Sequence, residues 1–445
     1  MKEPKQLAGH FSYGRLWRFT MPTIGMMIFT SLYGMVDGFF VSNFAGKTPF
    51  AAINFAWPLI SMLCIFGFML GTGGNAIISR LLGQQEKTKA QEIFSMLVYI
   101  ALGVGVVLAI IGVIWIRPLL AWLGASEEMM PYCVTYSRIL LIALPASFLQ
   151  YEFQSFLATA GKPRLGLRFT LAAGITNMVL DALFIAGFGW GITGAAAATV
   201  VSVMVGGIAP LVYFAMPNSS LLRLRAFRFD RKAFIDTCVN GSSELLSTVS
   251  MSLVSMLYNY QLMRFIGLNG VAAYGTLMYV TYIFVSCFVG YSVGVAPLIG
   301  YNYGSENHSE MKNLFRKSIV LIGVFSVVMT LAAEVLAAPI SNMYVGYDSE
   351  LNALTVKAFH IYSLSFLLCG FNIFGSALFT ALGNGLVSAG ISFFRTMVCE
   401  VIAVLVLPLV LGIDGIWYAI VVAETAALLL TVSLVLRHRK RYHYL

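Results

Sequence analysis

Twelve long apolar stretches leave this chain few ways to fold. They run at roughly 16–42, 51–79, 92–116, 132–159, 167–187, 191–215, 234–263, 271–299, 314–338, 354–381, 387–411 and 415–436. About 20 apolar residues cross the hydrocarbon core of a bilayer as a helix. Lipid offers backbone groups no hydrogen bonds, so only helices and closed barrels can span it. Barrel strands are alternating segments of about ten residues, whereas these runs are longer and more continuously apolar. With 59% of 445 residues hydrophobic and 11% charged, little is left over for a soluble domain. The expected fold is an all-α polytopic membrane protein with short connections.

The two halves match weakly at one constant shift of 221 residues. Phe44-x-Gly46 returns as Phe265-x-Gly267, and Ala51-Ala52 as Ala272-Ala273. Gly73 and Gly83 return as Gly294 and Gly304, Phe94 as Phe315, and Gly191-Ile-x-Gly194 as Gly412-Ile-x-Gly415. Each half holds six stretches, so both copies have the same orientation and are related by an axis along the membrane normal. The expected organisation is an N-terminal lobe over 1–216, a basic linker over 217–232 and a C-terminal lobe over 233–445. That gives twelve transmembrane helices in two six-helix lobes with pseudo-twofold symmetry. Two such lobes facing each other suit a secondary transporter that opens to either side in turn.

The net charge of +9 is a topology signal. Threaded through twelve spans, 22 of the 28 Lys and Arg fall on the side of the N-terminus. Lys47, Arg117, Arg264 and Lys357 fall on the other side, and Arg138 and Arg395 lie within spans. By the positive-inside rule both termini are expected in the cytoplasm, in a multi-pass protein of the cell (inner) membrane. The basic residues are not expected to bind nucleic acid. The first stretch is too long for a cleavable leader and lacks a small-residue cleavage site. Cys64, Cys133, Cys238, Cys287, Cys369 and Cys399 have no ligand-like spacing and read as buried small hydrophobes. Gly46-Lys47-Thr48 resembles the end of a phosphate-binding loop, but Val41 stands where the motif needs its first glycine. Energy is therefore expected from an ion gradient or another subunit.

An acid in a span is costly, about 2.5–3.5 kcal/mol at mid-helix on insertion scales, and usually serves ions or protons. The acids here are Asp37, Glu152, Asp181, Glu244, Glu334, Glu400 and Glu424. Glu334 lies near the outer end of its span, within reach of water. Glu152 has Gln150 and Gln154 beside it. Tyr33 lies four residues before Asp37, on the same helical face, and Asn177 and Asp181 share that spacing. Thr199 lies in the next, antiparallel span at a depth similar to Asp181, counting about 1.5 Å per residue from the turn. Two carboxylates, an amide and a hydroxyl suit a hard cation such as Na+, and equally a shared proton. The alternative is a static polar network that locks the helices together. Pro22, near the start of the first span, is either a first-turn proline or a kink.

At these residues the chain resembles the multidrug and toxic compound extrusion (MATE) transporters over nearly its whole length. The resemblance rests on Pro22 with Asp37, Asn177-x3-Asp181 followed by Thr199, the stretches Gly71–Gly83 and Gly294–Gly304, and Ala160-Gly161-Lys162-Pro163. It looks most like the bacterial MepA and DinF-like branch. What it implies is proton- or sodium-coupled export of amphipathic, often cationic compounds. By that likeness Asp37 couples, Asn177, Asp181 and Thr199 complete the proton or Na+ site, and Pro22 is the hinge. Tyr33, Glu244, Glu400 and Glu424 are candidates for a cavity or secondary polar site. NorM-like members carry a glutamate in helix 7 and an aspartate in helix 10. Here Glu244 lies in the seventh span, and the tenth offers His360 and Asn372, which argues against a second ion site. The Met and aromatic residues suit an adaptable drug cavity or ordinary packing.

The expected partners are small-molecule drugs or organic cations and the bilayer, around a monomer with no cofactor beyond H+ or Na+. The chain is not expected to be an enzyme, since its five histidines form no cluster by spacing. The alternative is a flippase or exporter of lipid-linked sugars from the wider superfamily. That protein would need a cationic cavity, and only Arg138 and Arg395 lie within spans. A major-facilitator transporter would show a basic signature loop after the second span, where this chain reads Gly83-Gln-Gln-Glu-Lys-Thr-Lys.

Overall fold

A computed structural model describes residues 7–445, except for the side chains of Ser42, Lys47, Ala51 and Leu268. Lys2 and Lys5, counted above among the inner charges, lie outside the described residues. No β-strand occurs among the described residues. The first half contains α1 (Tyr13–Phe40), α2 (Lys47–Gly83), α3 (Lys87–Trp122), α4 (Met130–Ile142), α5 (Leu144–Thr159), α6 (Pro163–Asp181) and α7 (Gly191–Ala215). The second contains α8 (Arg231–Phe265), α9 (Leu268–Gly304), α10 (His308–Val345), α11 (Ser349–Ser363), α12 (Phe366–Ala381), α13 (Gly385–Phe393), α14 (Val401–Leu411) and α15 (Ile413–Tyr442). π-Helical stretches extend α1 over Val41–Ala45 and α6 over Ala182–Gly187, and a third joins α13 to α14 over Phe394–Glu400.

These helices form the twelve columns of two six-helix lobes, with three departures from the sequence reading. The fourth stretch is bent by 61° between α4 and α5, where Pro145 opens α5 without an N–H to give. The tenth is bent by 47° between α11 and α12, where Ser365 N donates to Tyr362 O at 3.0 Å in a tight turn rather than an α-helical one. The third departure is α8. Among the described residues nine helices are long and apolar enough to cross a membrane, or eleven with the two bent pairs, and α8 is not among them. It is 35 residues long, but Ser242, Ser243, Glu244, Ser247, Thr248, Asn259 and Gln261 dilute its apolarity. Packing shields it instead, since it lies against α2, α9 and α13.

The lipid-facing surface follows from helical periodicity. On α10 the exposed apolar residues are Val320, Val324, Val327, Val328, Leu331 and Val335, a stripe at i, i+4, i+7 facing out of the bundle. Centrally, α9 has 72% of its apolar window buried inside the protein, against 22% for α10.

The lobes meet through α1 and α2 of one and α8 and α9 of the other. At the end bearing both termini the backbones come too close for any side chain. A Cβ on Gly73 would lie 2.1 Å from the Thr237 carbonyl oxygen, and one on Gly241 2.1 Å from that of Met69. Gly83 and Gly304 face each other likewise, 2.1 Å from the carbonyl oxygens of Tyr301 and Arg80. On the other side of the pseudo-axis, Gly294 takes its place against Thr20 and Thr23. At the opposite end the related glycines Gly46 and Gly267 have nothing within 4 Å. Both hold a positive φ (99° and 81°) where the chain turns into α2 and α9, a conformation that glycine adopts without strain. The space between the lobes is thus closed at the terminal end. Just beyond this seal, Met27, Phe68 and Val293 form a small apolar cluster between the lobes.

The N-terminal segment straps the lobes together at the same end. Leu7 and Phe11 are buried. Glu310 of α10 accepts from Phe11 N at 2.8 Å and pairs with His10 Nδ1 at 3.0 Å. Asn313 and Lys317 donate to the Phe11 carbonyl, and Trp17 of α1 packs on Phe325 of α10. The segment between α7 and α8 is fastened to the first lobe, where Gln91 donates to Leu221 O and Arg225 N donates to Ser95 Oγ.

Candidate functional site

Asp37 lies in the last turn of α1, and the helix widens to π geometry four residues later. Asp181 ends α6, and a second π-helical stretch begins at the next residue. The two widened stretches touch each other. π-Bulges often mark functional positions because they redirect side chains within a helix. Asp37 and Asp181 are within electrostatic reach of one another, and Tyr136 of α4 is within reach of both. Tyr33 faces the same region and lies against Gln150 of α5.

The carboxyl groups are unusual in having no partner. Asp181 is fully buried and neither of its oxygens receives a hydrogen bond; Asp37 Oδ1 is buried in the same condition. Asn177 is buried, one turn before Asp181 on the same face, and does not bond it. The Thr199 hydroxyl donates to Ala195 O at 3.0 Å, which leaves its lone pairs free to accept. The structure therefore brings Asp37, Asp181, Tyr33 and Tyr136 into one region and leaves Asn177 and Thr199 unbonded to either acid. A buried charge without a compensating partner is costly, so these oxygens are suited to a proton or a small cation. No group of three or more His, Cys, Asp or Glu suitable for a metal occurs among the described residues. A cation here would rely on the two carboxyls with amide and hydroxyl oxygens.

Pro22 is buried in the interior of α1, well past the first turn, because the helix begins at Tyr13. It withholds an N–H from the Arg18 carbonyl one turn back. Glu244 lies three residues beyond Gly241 on α8, on the helical face that meets α2 between the lobes. Its carboxyl is partly exposed. Glu334, near the end of its span, bonds His360 and Ser363. Glu152 is fully buried, and neither carboxyl oxygen has a partner.

The second lobe holds a network that no sequence spacing announces. Arg395 in the π-helical stretch donates through Nε and Nη2 to Glu424 Oε1 of α15, at 2.8 and 2.5 Å. Asn372 of α12 donates to Glu424 Oε2 at 2.7 Å and accepts from Thr431 at 2.9 Å. Glu424 is thus committed to a buried ion pair. The one available signal was that an arginine inside a span needs an acid. Glu400, at the end of the same stretch, is partly exposed and takes no part in the network's hydrogen bonds.

Comparison with known proteins agrees with this architecture. The sequence model of the MatE family matches residues 22–183 and again 245–406, once in each half. The multidrug export protein MepA of Staphylococcus haemolyticus is 27% identical over 428 residues, covering 96% of this chain and 94% of that protein. MepA of Staphylococcus aureus strain MRSA252 is 23% identical over 429 residues with the same coverage. Among solved structures, an outward-facing multidrug resistance MATE transporter superposes with a TM-score of 0.92 at 22% identity, over 99% of this chain and 98% of that one. A MATE transporter in its straight conformation gives 0.91 at 23% identity, with the same coverage. With the family pattern recurring in both halves, on two lobes that fold as its solved members do, the chain belongs to the MATE family of multidrug export transporters.

Proposed function

We propose that this protein exports amphipathic, often cationic small molecules by proton- or sodium-coupled antiport with alternating access. The observation that carries this reading is the pair of unpartnered carboxyls, the buried Asp181 and the half-buried Asp37, in one lobe of a two-lobed clamp whose lobes meet backbone to backbone at the terminal end. The lobes span 1–216 and 233–445, joined by the basic segment 217–232. The protein acts as a monomer in the cell membrane. Its basic, terminus-bearing end faces the cytoplasm by the positive-inside rule, so the conformation described here is closed inward.

In this state the acid pair takes up a proton or Na+ from outside, while the cavity releases its cargo there. Asp37 is the coupling group; Asp181, Asn177 and Thr199 supply the remaining oxygens. Neutralising the acids removes the cost of enclosing them, and α1 bends at Pro22 as the lobes rock. Discharge of the ion inward then resets the site for new cargo.

The test is transport in liposomes with proton and sodium gradients imposed separately. One gradient is expected to drive cargo movement, and Asp37→Asn to abolish the coupling. Transport indifferent to both gradients, or unchanged in Asp37→Asn, would overturn the reading.

A further inference from the structure

A groove of about 660 Å³ opens at the terminus-bearing end, far from the acid pair. One wall is the first two turns of α3, with Lys89 and Glu92. The other is the segment that leads into α8, with Arg228, Asp230, Arg231 and Lys232. The two walls are fastened together. Gln91 and Arg225 bind the segment to α3 as described above, and Asp230 N donates to Met96 Sδ at 3.3 Å. The groove is therefore a fixed feature of the fold.

Charge decides what fits it. Four cations face two acids, and one acid is already used: Asp230 Oδ1 accepts from Ala233 N at 3.0 Å and caps α8. That leaves Glu92 to oppose them. Lys89 makes a loose pair with Glu86 at 3.6 Å, and both side chains are about half exposed. Arg228, Arg231 and Lys232 are exposed and have no hydrogen-bond or ion-pair partner among the described residues. Helix α3 starts beside them without a capping side chain, so its positive end adds to their field. Three unpaired cations on one wall suit an anion with several oxygens, as in a phosphate.

Position decides which phosphate. Toward the membrane, the helix faces that carry these charges turn apolar. Arg231 is followed at i+4 and i+8 by Ile235 and Val239, both exposed. On α3, Glu92 is followed by Tyr99, Val106 and Ile110, also exposed and on the same face. The groove thus sits where two lipid-facing stripes give way to charge. Tyr99 stacks on Phe227 at 5.6 Å, and Phe229 is exposed at the rim. Aromatic rings collect at this level of a bilayer. A soluble phosphate would use the charges alone. A phospholipid uses the stripes as well.

We propose that this groove binds the headgroup of an anionic phospholipid from the leaflet at the terminus-bearing face. Arg228, Arg231 and Lys232 take the phosphate, Lys89 closes on it from the opposite wall, and the apolar stripes of α3 and α8 carry the acyl chains. The site is independent of the antiport reading and holds whichever gradient drives transport.

The experiment is native mass spectrometry of the full-length protein in detergent, titrated with phosphatidylglycerol and with phosphatidylcholine of the same acyl chains. The wild type is expected to bind phosphatidylglycerol about tenfold more tightly. Arg228→Gln with Arg231→Gln should erase most of that preference and leave phosphatidylcholine within about twofold, whereas Arg228→Lys with Arg231→Lys should keep most of it. Neither arginine holds another residue in place, so both pairs of variants should fold. Arg439→Gln with Lys440→Gln removes the same charge from the exposed end of α15 and should leave the preference within about twofold. Glu92→Gln, which strips the opposing carboxylate, should tighten phosphatidylglycerol by about threefold. No preference in the wild type, or an equal loss in the α15 variant, would overturn the site. Displacement of phosphatidylglycerol by an equal concentration of glycerol 3-phosphate would overturn the lipid as its ligand and leave a soluble phosphate in its place.

Discussion

Adding one methyl group at Gly73 should unseat the closed end of the transporter. The new Cβ would stand 2.1 Å from the Thr237 carbonyl oxygen and 2.8 Å from the Gly241 nitrogen, where ordinary contact begins at 3.4 Å. Both obstacles are backbone atoms, so no rotamer change relieves them, and α2 and α8 must part by about 1 Å. Overfilling a packed interface costs about 1–3 kcal/mol. That penalty falls on the state in which these helices touch and spares one in which the lobes have separated at this end. The ratio of the two should therefore move by about 5- to 150-fold toward the separated state. The assay is a pulsed electron–electron distance measurement between spin labels at exposed Lys87 and Ser305, in a background without native cysteines. Gly73→Ala should shift the distribution to longer distances, and Gly241→Ala should do the same because it enters the same contact. Gly103→Ala, with nothing within 4 Å of its new methyl, is the control. A folded Gly73→Ala protein with a wild-type distribution would refute the reasoning.

Two further perturbations follow from the hydrogen-bond geometry. Arg395→Met leaves Glu424 buried with an unanswered charge and should destabilise the protein by about 3–5 kcal/mol, while Arg395→Met with Glu424→Met should recover most of that loss; thermal unfolding in detergent reads both, and an equally unstable double variant would argue against the pairing. Glu310→Ala strips acceptors from Phe11 N and His10, at a cost of about 1–3 kcal/mol for the buried donor left behind. Hydrogen exchange over residues 7–12 should then rise well above wild type, and unchanged protection would show that the strap is held by something else.

Much of this fold was legible because membranes impose simple rules. The spans, their lobes and the displaced repeat all came from apolarity and glycine spacing, and Gly46 and Gly267 proved to be equivalent turns. α8 was harder to read, since a helix sheltered by protein on several sides need not be apolar enough for lipid. The bends beside Pro145 and Ser365 fell inside apolar runs that look continuous to any hydropathy count. Asp37 and Asp181 stood out as acids in grease, but the Tyr136 that accompanies them did not, because a tyrosine in a span is unremarkable by composition. The Arg395–Glu424–Asn372 network joins residues 29 and 52 positions apart. Only packing could put them together. The mutual fit of Gly73 with Gly241 was invisible for the same reason.

The strap across the terminal end also fixes an order of events during synthesis. Residues 7–12 emerge long before their acceptor Glu310, which lies some 300 positions later. The backbone of Phe11 finds its hydrogen-bond partners, Glu310, Asn313 and Lys317, only once α10 has been made, by which time both members of the central α1–α9 pair are already in place. A segment made before α1 is thus among the last to complete its hydrogen bonds, and its docking reports that α10 of the second lobe has arrived.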